Sequence, residues 1–136
     1  MKPVLAVFRV KKTSAEVTEI PVVDAKVQGK VTQAGATTFG VGPDGQNLVH
    51  SIMTLEAFVI AEATGVTLLK AHSEVEAIFI EAEPTVAETT PPEEAKQAGN
   101  YYAAHLYPHA ISHLNRMFQE MGFGAVQLNQ RYPGTF

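Results

Sequence analysis

VHSIMTLEAFVIAEATGVTLLKAHSEVEAIFI, residues Val49 to Ile80, consists of two segments in which apolar and polar side chains alternate. In the first segment apolar residues occupy most odd positions and polar residues even ones: Val49, Met53, Leu55, Ala57, Val59 and Ala61 against His50, Thr54, Glu56 and Glu62. The second segment repeats the pattern, with Leu69, Ala71, Val75, Ala77 and Phe79 against Lys70, His72, Glu74 and Glu76. A period of two is typical of strands with one buried and one wet face. The short connector Ala63-Thr64-Gly65 therefore predicts an antiparallel hairpin.

Further strands are predicted upstream of this hairpin. Residues 4–10 mix β-branched and aromatic side chains and are followed by Lys11 and Lys12, which indicates a strand near a sheet edge. Pro21 and Gly29 interrupt the region from residue 17 to residue 33. We therefore expect two short strands there, at residues 18–23 and 26–33.

The stretch GVGPDGQN, residues 40–47, has the G-x-G-x-x-G spacing of a dinucleotide-binding loop. That loop requires a helix opening at its third glycine, because the helix amides hold the phosphates. Here Pro43-Asp44-Gly45 is a strong β-turn sequence, and strand-like residues follow it. We therefore predict a hairpin turn at this position, and no cofactor.

The main helix is expected at residues 108–121. Residues 81–100 carry five glutamates and three prolines, which predicts an acidic connection before the helix. Pro108 fits the first turn of a helix, whereas inside a helix it would cost about 3 kcal/mol. Gly122 suits a left-handed cap, and residues 129–136 follow as a tail. The helix then has an apolar stripe that covers the sheet, formed by Ala110, Leu114, Met117, Phe118 and Met121.

Three histidines follow one another at intervals of four, at His105, His109 and His113. A helix covering all three would align them on one stripe, and together with Glu120 they would offer a metal site. If the helix begins at Pro108, only the last two share a face, and the third ligand that a zinc site needs is missing. Packing or surface histidines are therefore the stronger interpretation, and a metalloprotein is the alternative hypothesis.

The composition indicates one globular domain of 136 residues, with 46% apolar and 18% charged side chains. A net charge of −4 does not supply the basic surface that nucleic acids require. The apolar run near the amino terminus stops at Arg9, far short of the roughly 20 residues of a membrane span. There is no cysteine. We expect a soluble, cytoplasmic protein without catalytic groups.

The C-terminal part of the chain resembles the signature of the SecB-type export chaperones. In LYPHAISHLNRMFQEMGFGAVQLN, residues 106–129, the matching positions are Leu106, Tyr107, Pro108, Ala110, Leu114, Met117, Phe123 and Leu128. EVEAIFI, residues 74–80, is similar to the end of the family's last strand, and FRVKKTSAEVTEIP, residues 8–21, to its first strand. This chain is less acidic, has Ala77 where the family usually has glycine, and stops at Phe136, where the family continues with a second helix and an acidic tail.

The resemblance implies an α+β fold, in which a four-stranded or slightly larger antiparallel sheet carries one long C-terminal helix packed on one face. It places the whole chain in a single SecB-like domain, with the β-rich sheet in residues 1–80. It implies an ATP-independent chaperone that binds unfolded or nascent polypeptide as a dimer or tetramer, with SecA as a further partner.

Adaptable methionines and amphipathic aromatic side chains suit a surface that binds many different clients. The predicted polypeptide-binding residues are Phe58, Phe79, Tyr101, Tyr102, Tyr107, Met121 and Phe123. An acidic face formed by Glu56, Glu62, Glu74 and Glu76 is predicted to dock a basic partner.

A second hypothesis is a non-enzymatic assembly or adaptor subunit that keeps the SecB-like oligomer but binds one specific protein partner, in a phage or toxin-antitoxin setting. Its motivation is the end of the sequence at Phe136 and the modest acidity. The two hypotheses predict different partners, since a chaperone binds many unfolded clients and an adaptor binds one stoichiometric protein.

Overall fold

A computed structural model of the chain describes residues 4–19, 26–84, 86, 89–124 and 126–133. The described chain forms four strands and one helix: β1 (Val4–Val17), β2 (Val27–Val41), β3 (Asn47–Ala61), β4 (Thr67–Glu81) and α1 (Pro92–Glu120). The strands make one antiparallel sheet in the order β1-β4-β3-β2, so that β1 and β2 are the two edges. The predicted α+β fold, with four antiparallel strands and a long C-terminal helix, is confirmed.

The hairpin of β3 and β4 forms the centre of the sheet, as the alternating pattern predicted. Its odd-numbered side chains share the face that α1 covers, and Val49, Leu55, Val59, Leu69 and Val75 are all 0% exposed. The turn between the strands contains Gly65 with a φ of 73°, a left-handed conformation that glycine adopts without strain.

The glycine-rich stretch, residues 40–47, contains the turn of the second hairpin, which joins β2 to β3. Gly45 has a φ of 78° and donates its N–H to the Gly42 carbonyl at 3.0 Å. Gly42 in turn donates to the Gln46 carbonyl at 2.8 Å, which begins the ladder between the two strands. The predicted turn is confirmed, because a strand follows the third glycine where a dinucleotide loop has a helix.

Both edge strands are longer than predicted. β1 does not end at Lys11 and Lys12 but continues to Val17, with register shifts between Leu5 and Val7 and between Val10 and Lys12. An edge strand tolerates lysines because one of its sides is open to water. The strand predicted at residues 26–33 is present but longer, since β2 runs from Val27 to Val41. The strand predicted at residues 18–23 falls mostly on residues 20–25, which lie outside the described ranges.

Gly29 lies within β2, at a point where side chains from another part of the chain pack against the strand backbone. A Cβ at this position would lie 2.8 Å from side-chain atoms of both Val126 and Leu128. Glycine inside a strand often marks such a close approach of another part of the chain. The segment that follows α1, residues 126–133, is here called the C-terminal segment, and it packs against β2 at Gly29.

The predicted start of the helix at Pro108 is wrong, since α1 begins at Pro92 and Pro108 lies in its interior. An internal proline costs about 3 kcal/mol. The turns before it bury Tyr102 and Leu106, which are 2% and 0% exposed, and each such side chain gains about 1.5 to 3 kcal/mol. Burial of these upstream turns therefore offsets the local cost. The cap is confirmed, because Gly122 has a φ of 89° directly after the helix.

The helix and the C-terminal segment together cover one face of the sheet. The predicted apolar stripe faces the core, where Ala110, Leu114 and Phe118 are 0% exposed. Asn115 holds the C-terminal segment beside the helix: its Oδ1 accepts the Leu128 N–H at 2.8 Å and its Nδ2 donates to the Leu128 carbonyl at 3.2 Å. This double contact, together with the packing of Val126 and Leu128 against Gly29, places the C-terminal segment between α1 and the Gly29 end of β2.

Candidate polypeptide-binding groove

The outer edge of β2 presents a row of backbone groups that have no partner among the residues the structure describes. Gly42 donates to the Gln46 carbonyl and Glu62 donates to the Lys26 carbonyl, at 2.8 and 3.0 Å, so the even-numbered residues of β2 bond to β3. Because the direction of the backbone groups alternates along an antiparallel strand, the odd-numbered residues point their N–H and C=O groups away from the sheet. No backbone hydrogen bond to another part of the described chain takes up these outward groups.

The two edges of the sheet differ in how well they resist pairing with another strand. β2 pairs with β3 in continuous register from Val27 to Val41. β1 carries two register shifts and a pair of lysines, both of which discourage a further strand. β2 is therefore the better acceptor for an extended chain.

A groove runs along this edge between β2, α1 and the C-terminal segment, and we call it the β2 groove. Its smaller chamber has a volume of about 270 Å³ and is lined by Gln33, Gly35 and Thr37 of β2 together with helix residues of small volume, Ala95, Gly99 and Ala103. A Cβ added at Gly99 would lie 3.7 Å from Thr37 Cβ, so helix and strand approach closely here.

The larger chamber of the β2 groove has a volume of about 620 Å³ and lies between Gly29 and Val31 of β2, the helix and the C-terminal segment. Tyr132 lines both chambers and so stands between them. The β2 residues that line the two chambers are odd-numbered except for Ala36, and the smaller chamber is also lined by Ser51 and Ile52 of β3. Most of the β2 residues along the groove are therefore ones whose backbone groups point away from the sheet.

Two tyrosines define the wall of the larger chamber. The rings of Tyr107 and Tyr132 meet edge to face, with centroids 5.5 Å apart. Tyr107 is 1% exposed and lines the chamber, and its hydroxyl has no hydrogen bond within the described chain. Burial, with a smaller contribution from Tyr132, raises the pKa of Tyr107, so the phenol stays a neutral hydrogen-bond donor.

Of the predicted polypeptide-binding residues, the structure brings Tyr107 to the β2 groove. Phe79, Tyr102 and Phe123 are 2%, 2% and 6% exposed and belong to the core that joins helix and sheet. Tyr101 is 36% exposed on the helix, Met121 is partly buried against the core, and Phe58 lines a separate cavity of about 520 Å³ on the opposite face of the sheet. Client contact by these six residues stays a prediction.

The sequence reasoning missed most of the groove. Gly35, Gly99 and Tyr132 were not among the predicted residues. One local signal existed, the spacing of four between Ala95, Gly99 and Ala103, which gives a helix a smooth side. It was hidden because residues 81–100 were expected to be a connection rather than the beginning of a helix.

The four carboxylates of the predicted acidic face are interleaved with basic side chains. Glu76 is 5% exposed and lies between Arg9 Nη2 at 2.5 Å and His50 Nε2 at 2.8 Å. The hydrogen bond from His50, assisted by Arg9, lowers the pKa of Glu76 despite the opposing effect of burial.

The remaining three carboxylates of that face are more accessible. Glu74 is paired in register with Lys12, Glu56 with His72, and Glu62 lies in the turn after β3. Docking of a basic partner to this face stays a prediction.

The continuous helix places all three histidines of the stripe on one element. His109 packs against the Phe8 ring with centroids 5.4 Å apart, and His113 Nε2 lies 3.4 Å from Thr13 Oγ1. Burial, assisted by the charge of Arg116, lowers the pKa of His113.

His105 is engaged within the helix itself, because its Nδ1 lies 2.8 Å from the carbonyl of Tyr101. Within the described ranges, no three histidine, cysteine, aspartate or glutamate side chains are grouped to hold a metal ion. The geometry therefore does not support the metalloprotein hypothesis built on these histidines and Glu120.

Comparison with solved structures identifies the fold. The chain is similar to a SecB-like chaperone of Mycobacterium tuberculosis, Rv1957, in complex with a ChAD peptide from the HigA1 antitoxin Rv1956. The TM-score is 0.69, the sequences are 16% identical, and the similarity covers 93% of this chain and 89% of that chain. No protein-family model and no curated protein matches the sequence.

The described part of the chain contains no helix with the length and apolar character needed to cross a membrane. The similarity in structure extends over nearly the whole chain, and it includes the antiparallel sheet and the long helix that the sequence predicted. This chain therefore has the fold of the SecB-like chaperones.

Proposed function

We propose that this protein is an ATP-independent, SecB-like molecular chaperone that binds unfolded or extended polypeptide segments in the β2 groove. The observation that carries the proposal is the coincidence of an unpaired, unbroken strand edge with a groove beside it. A segment bound there adds a fifth strand to the sheet, which is a common way of recognising extended peptides.

The chemistry of this edge suits varied clients. Backbone hydrogen bonds do not depend on the client's sequence, and each contributes about 0.5 to 1.5 kcal/mol. Each client side chain of leucine or phenylalanine size that the groove covers adds about 1.5 to 3 kcal/mol. Several such weak contacts together hold a chain without any catalytic group.

Assembly, location and a motor partner belong to the same proposal. We propose a dimer or tetramer in the cytoplasm, with SecA as a further partner. Size-exclusion chromatography with multi-angle light scattering tests the assembly, and a monomer across the working concentration range contradicts it.

The central experiment measures whether the protein suppresses aggregation of an unfolding substrate, followed by light scattering at equal molar amounts. We expect the wild type to suppress aggregation and Gln33→Pro to lose much of this effect. Gln33 points its N–H outward, so proline removes a donor from the edge without breaking the ladder to β3. Gln33→Ala is the matched control, because it shortens the same side chain and leaves the backbone donor in place.

The two variants separate the outcomes. Thermal unfolding must first show that both remain folded. If the wild type leaves aggregation unchanged, the chaperone function is wrong. If the wild type works and the proline variant works equally well, clients bind somewhere other than the β2 edge.

A second candidate function is an adaptor that uses the same groove for one specific protein. It is favoured by the similar solved structure, in which a SecB-like chaperone is in complex with a peptide from an antitoxin. Affinity purification from the native cell separates the two functions. One partner recovered in stoichiometric amount supports the adaptor, whereas a mixture of unrelated unfolded chains supports the chaperone.

A further inference from the structure

The charged residues that line the β2 groove are all of one sign. Lys96 of α1 lines the smaller chamber and Arg131 of the C-terminal segment lines the larger one, while no aspartate or glutamate of the described chain lines either chamber. Both cations are exposed, and within the described chain neither forms a salt bridge. In a protein of net charge −4, both charged side chains of the described chain that line this groove are therefore cationic.

Resting on the function proposed above, we propose that the β2 groove selects extended segments that carry carboxylate side chains on the side facing the helix. A segment paired with β2 places every second side chain between the strand and α1. Carboxylates at those positions meet Lys96 and Arg131, and arginine binds carboxylates with a geometry that lysine and neutral side chains do not match.

The hydroxyl of a buried tyrosine in the larger chamber supports the same ligand chemistry. Tyr107 is 1% exposed, lines the same chamber as Arg131, and has no hydrogen bond from its hydroxyl within the described chain. A phenol is protonated at neutral pH and can donate to an acceptor, and burial moves the pKa of Tyr107 further from that range. A carboxylate oxygen accepts from both a phenol and a guanidinium, whereas an ammonium group accepts from neither.

Further polar side chains line the larger chamber together with Tyr107 and Arg131, so the chamber offers hydrogen bonds as well as apolar contacts. Gln127 and Asn129 also line the larger chamber. The Asn129 side chain accepts the Arg131 backbone N–H at 2.9 Å, which fixes the turn that carries the guanidinium. The arrangement favours an acidic extended segment over a basic one by charge and by hydrogen bonding.

The test compares three fluorescein-labelled peptides of about nine residues, a length that pairs with β2 from Gly29 to Thr37. They differ at alternate positions, which hold glutamate, glutamine or lysine, and fluorescence anisotropy measures their dissociation constants. We expect the glutamate peptide to bind about fivefold more tightly than the glutamine peptide, the effect of a partly exposed ion pair. The lysine peptide should bind most weakly.

Three variants locate the preference. Arg131→Gln and Lys96→Gln should each reduce the preference for glutamate over glutamine toward unity, and Tyr107→Phe should weaken the glutamate peptide about threefold by removing one donor. Lys30→Gln is the matched control, because Lys30 is exposed on the same strand but on the opposite face of the sheet. Its preference should equal that of the wild type.

The outcomes distinguish this proposal from the one it rests on. Equal binding of the glutamate and glutamine peptides, or tighter binding of the lysine peptide, overturns the selection of carboxylates and leaves the groove as a general acceptor. Failure of all three peptides to bind overturns the groove itself, and with it this inference. A preference that the Lys30 variant loses as readily as the Arg131 variant also refutes the assignment.

Discussion

Replacing Gly99 by alanine should stabilise the protein while narrowing the β2 groove. Glycine in a helix interior is about 0.8 to 1.0 kcal/mol less favourable than alanine, and Gly99 lies well inside α1. The new Cβ would meet Thr37 Cβ at 3.7 Å and Thr37 Oγ1 at 3.9 Å, which are ordinary van der Waals contacts. The helix therefore gains most of the difference, about 0.5 to 1 kcal/mol, without strain.

Gly122→Ala is the matched control with the opposite expected sign. A Cβ at Gly122 would meet nothing within 4 Å, so its effect is purely conformational. Its φ of 89° is left-handed, and a residue with a Cβ costs roughly 1 to 2 kcal/mol there. The two glycine-to-alanine variants should therefore differ from each other in stability by about 1.5 to 3 kcal/mol.

Urea unfolding followed by circular dichroism measures both changes. With a denaturant dependence of about 1 to 3 kcal/mol per molar, Gly99→Ala should raise the midpoint by roughly 0.2 to 1 M and Gly122→Ala should lower it. A lowered midpoint for Gly99→Ala would falsify the claim that the groove wall leaves room for a methyl group. Gly99→Leu then projects further into the smaller chamber, and we expect it to weaken peptide binding while the fold persists.

Three further changes test interactions in other parts of the fold. Asn115→Ala removes both hydrogen bonds to Leu128, so we expect a loss of about 1 to 3 kcal/mol and faster amide exchange in residues 126–133; unchanged exchange would show that other contacts hold this segment. Because the pKa of Glu76 is lowered in the folded protein, the ionised carboxylate stabilises the fold at pH values above 4.5, the ordinary pKa of the group. This stabilisation is lost as the pH falls through the lowered pKa. Glu76→Gln should flatten this acid limb in a series of unfolding curves, and an acid limb equal to that of the wild type would contradict the assignment. Pro108→Ala restores an N–H that can bond to the carbonyl of Ala104, and it should raise the thermal midpoint; a lower midpoint would mean that the helix is adapted to the proline ring.

The central hairpin was predictable because its information is local. Val49 and Phe79 face each other across a ladder whose odd-numbered face is largely apolar and whose even-numbered face carries the charged side chains, so period two indicates which side is buried. The turns were equally local, since Gly45 and Gly65 take left-handed conformations that few other residues adopt.

The start of the helix was not predictable from neighbouring residues. Pro108 has a local cost that the sequence shows, whereas the burial of Tyr102 against Phe39 and Phe79 is a tertiary effect that the sequence does not show. Gly29 was misinterpreted for the same reason, because the residue that needs its missing side chain is Leu128, far along the chain.

The groove itself depends on three separate segments meeting. The odd positions of β2 become important only when Gly99 approaches Thr37 and when Asn115 ties the C-terminal segment beside the strand. Residue types alone did not show this convergence, which explains why Tyr107 was the one predicted contact residue that the groove includes.

The position of Tyr132 between the two chambers should make binding of a long segment detectable by the protein's own fluorescence. A segment long enough to occupy both chambers has to displace this ring or bend around it, and displacement separates it from Tyr107, whose ring lies 5.5 Å away. Since the chain contains no tryptophan, its four tyrosines supply all the intrinsic emission. Occupancy along the whole length of the edge therefore becomes visible as a change in tyrosine fluorescence without any label.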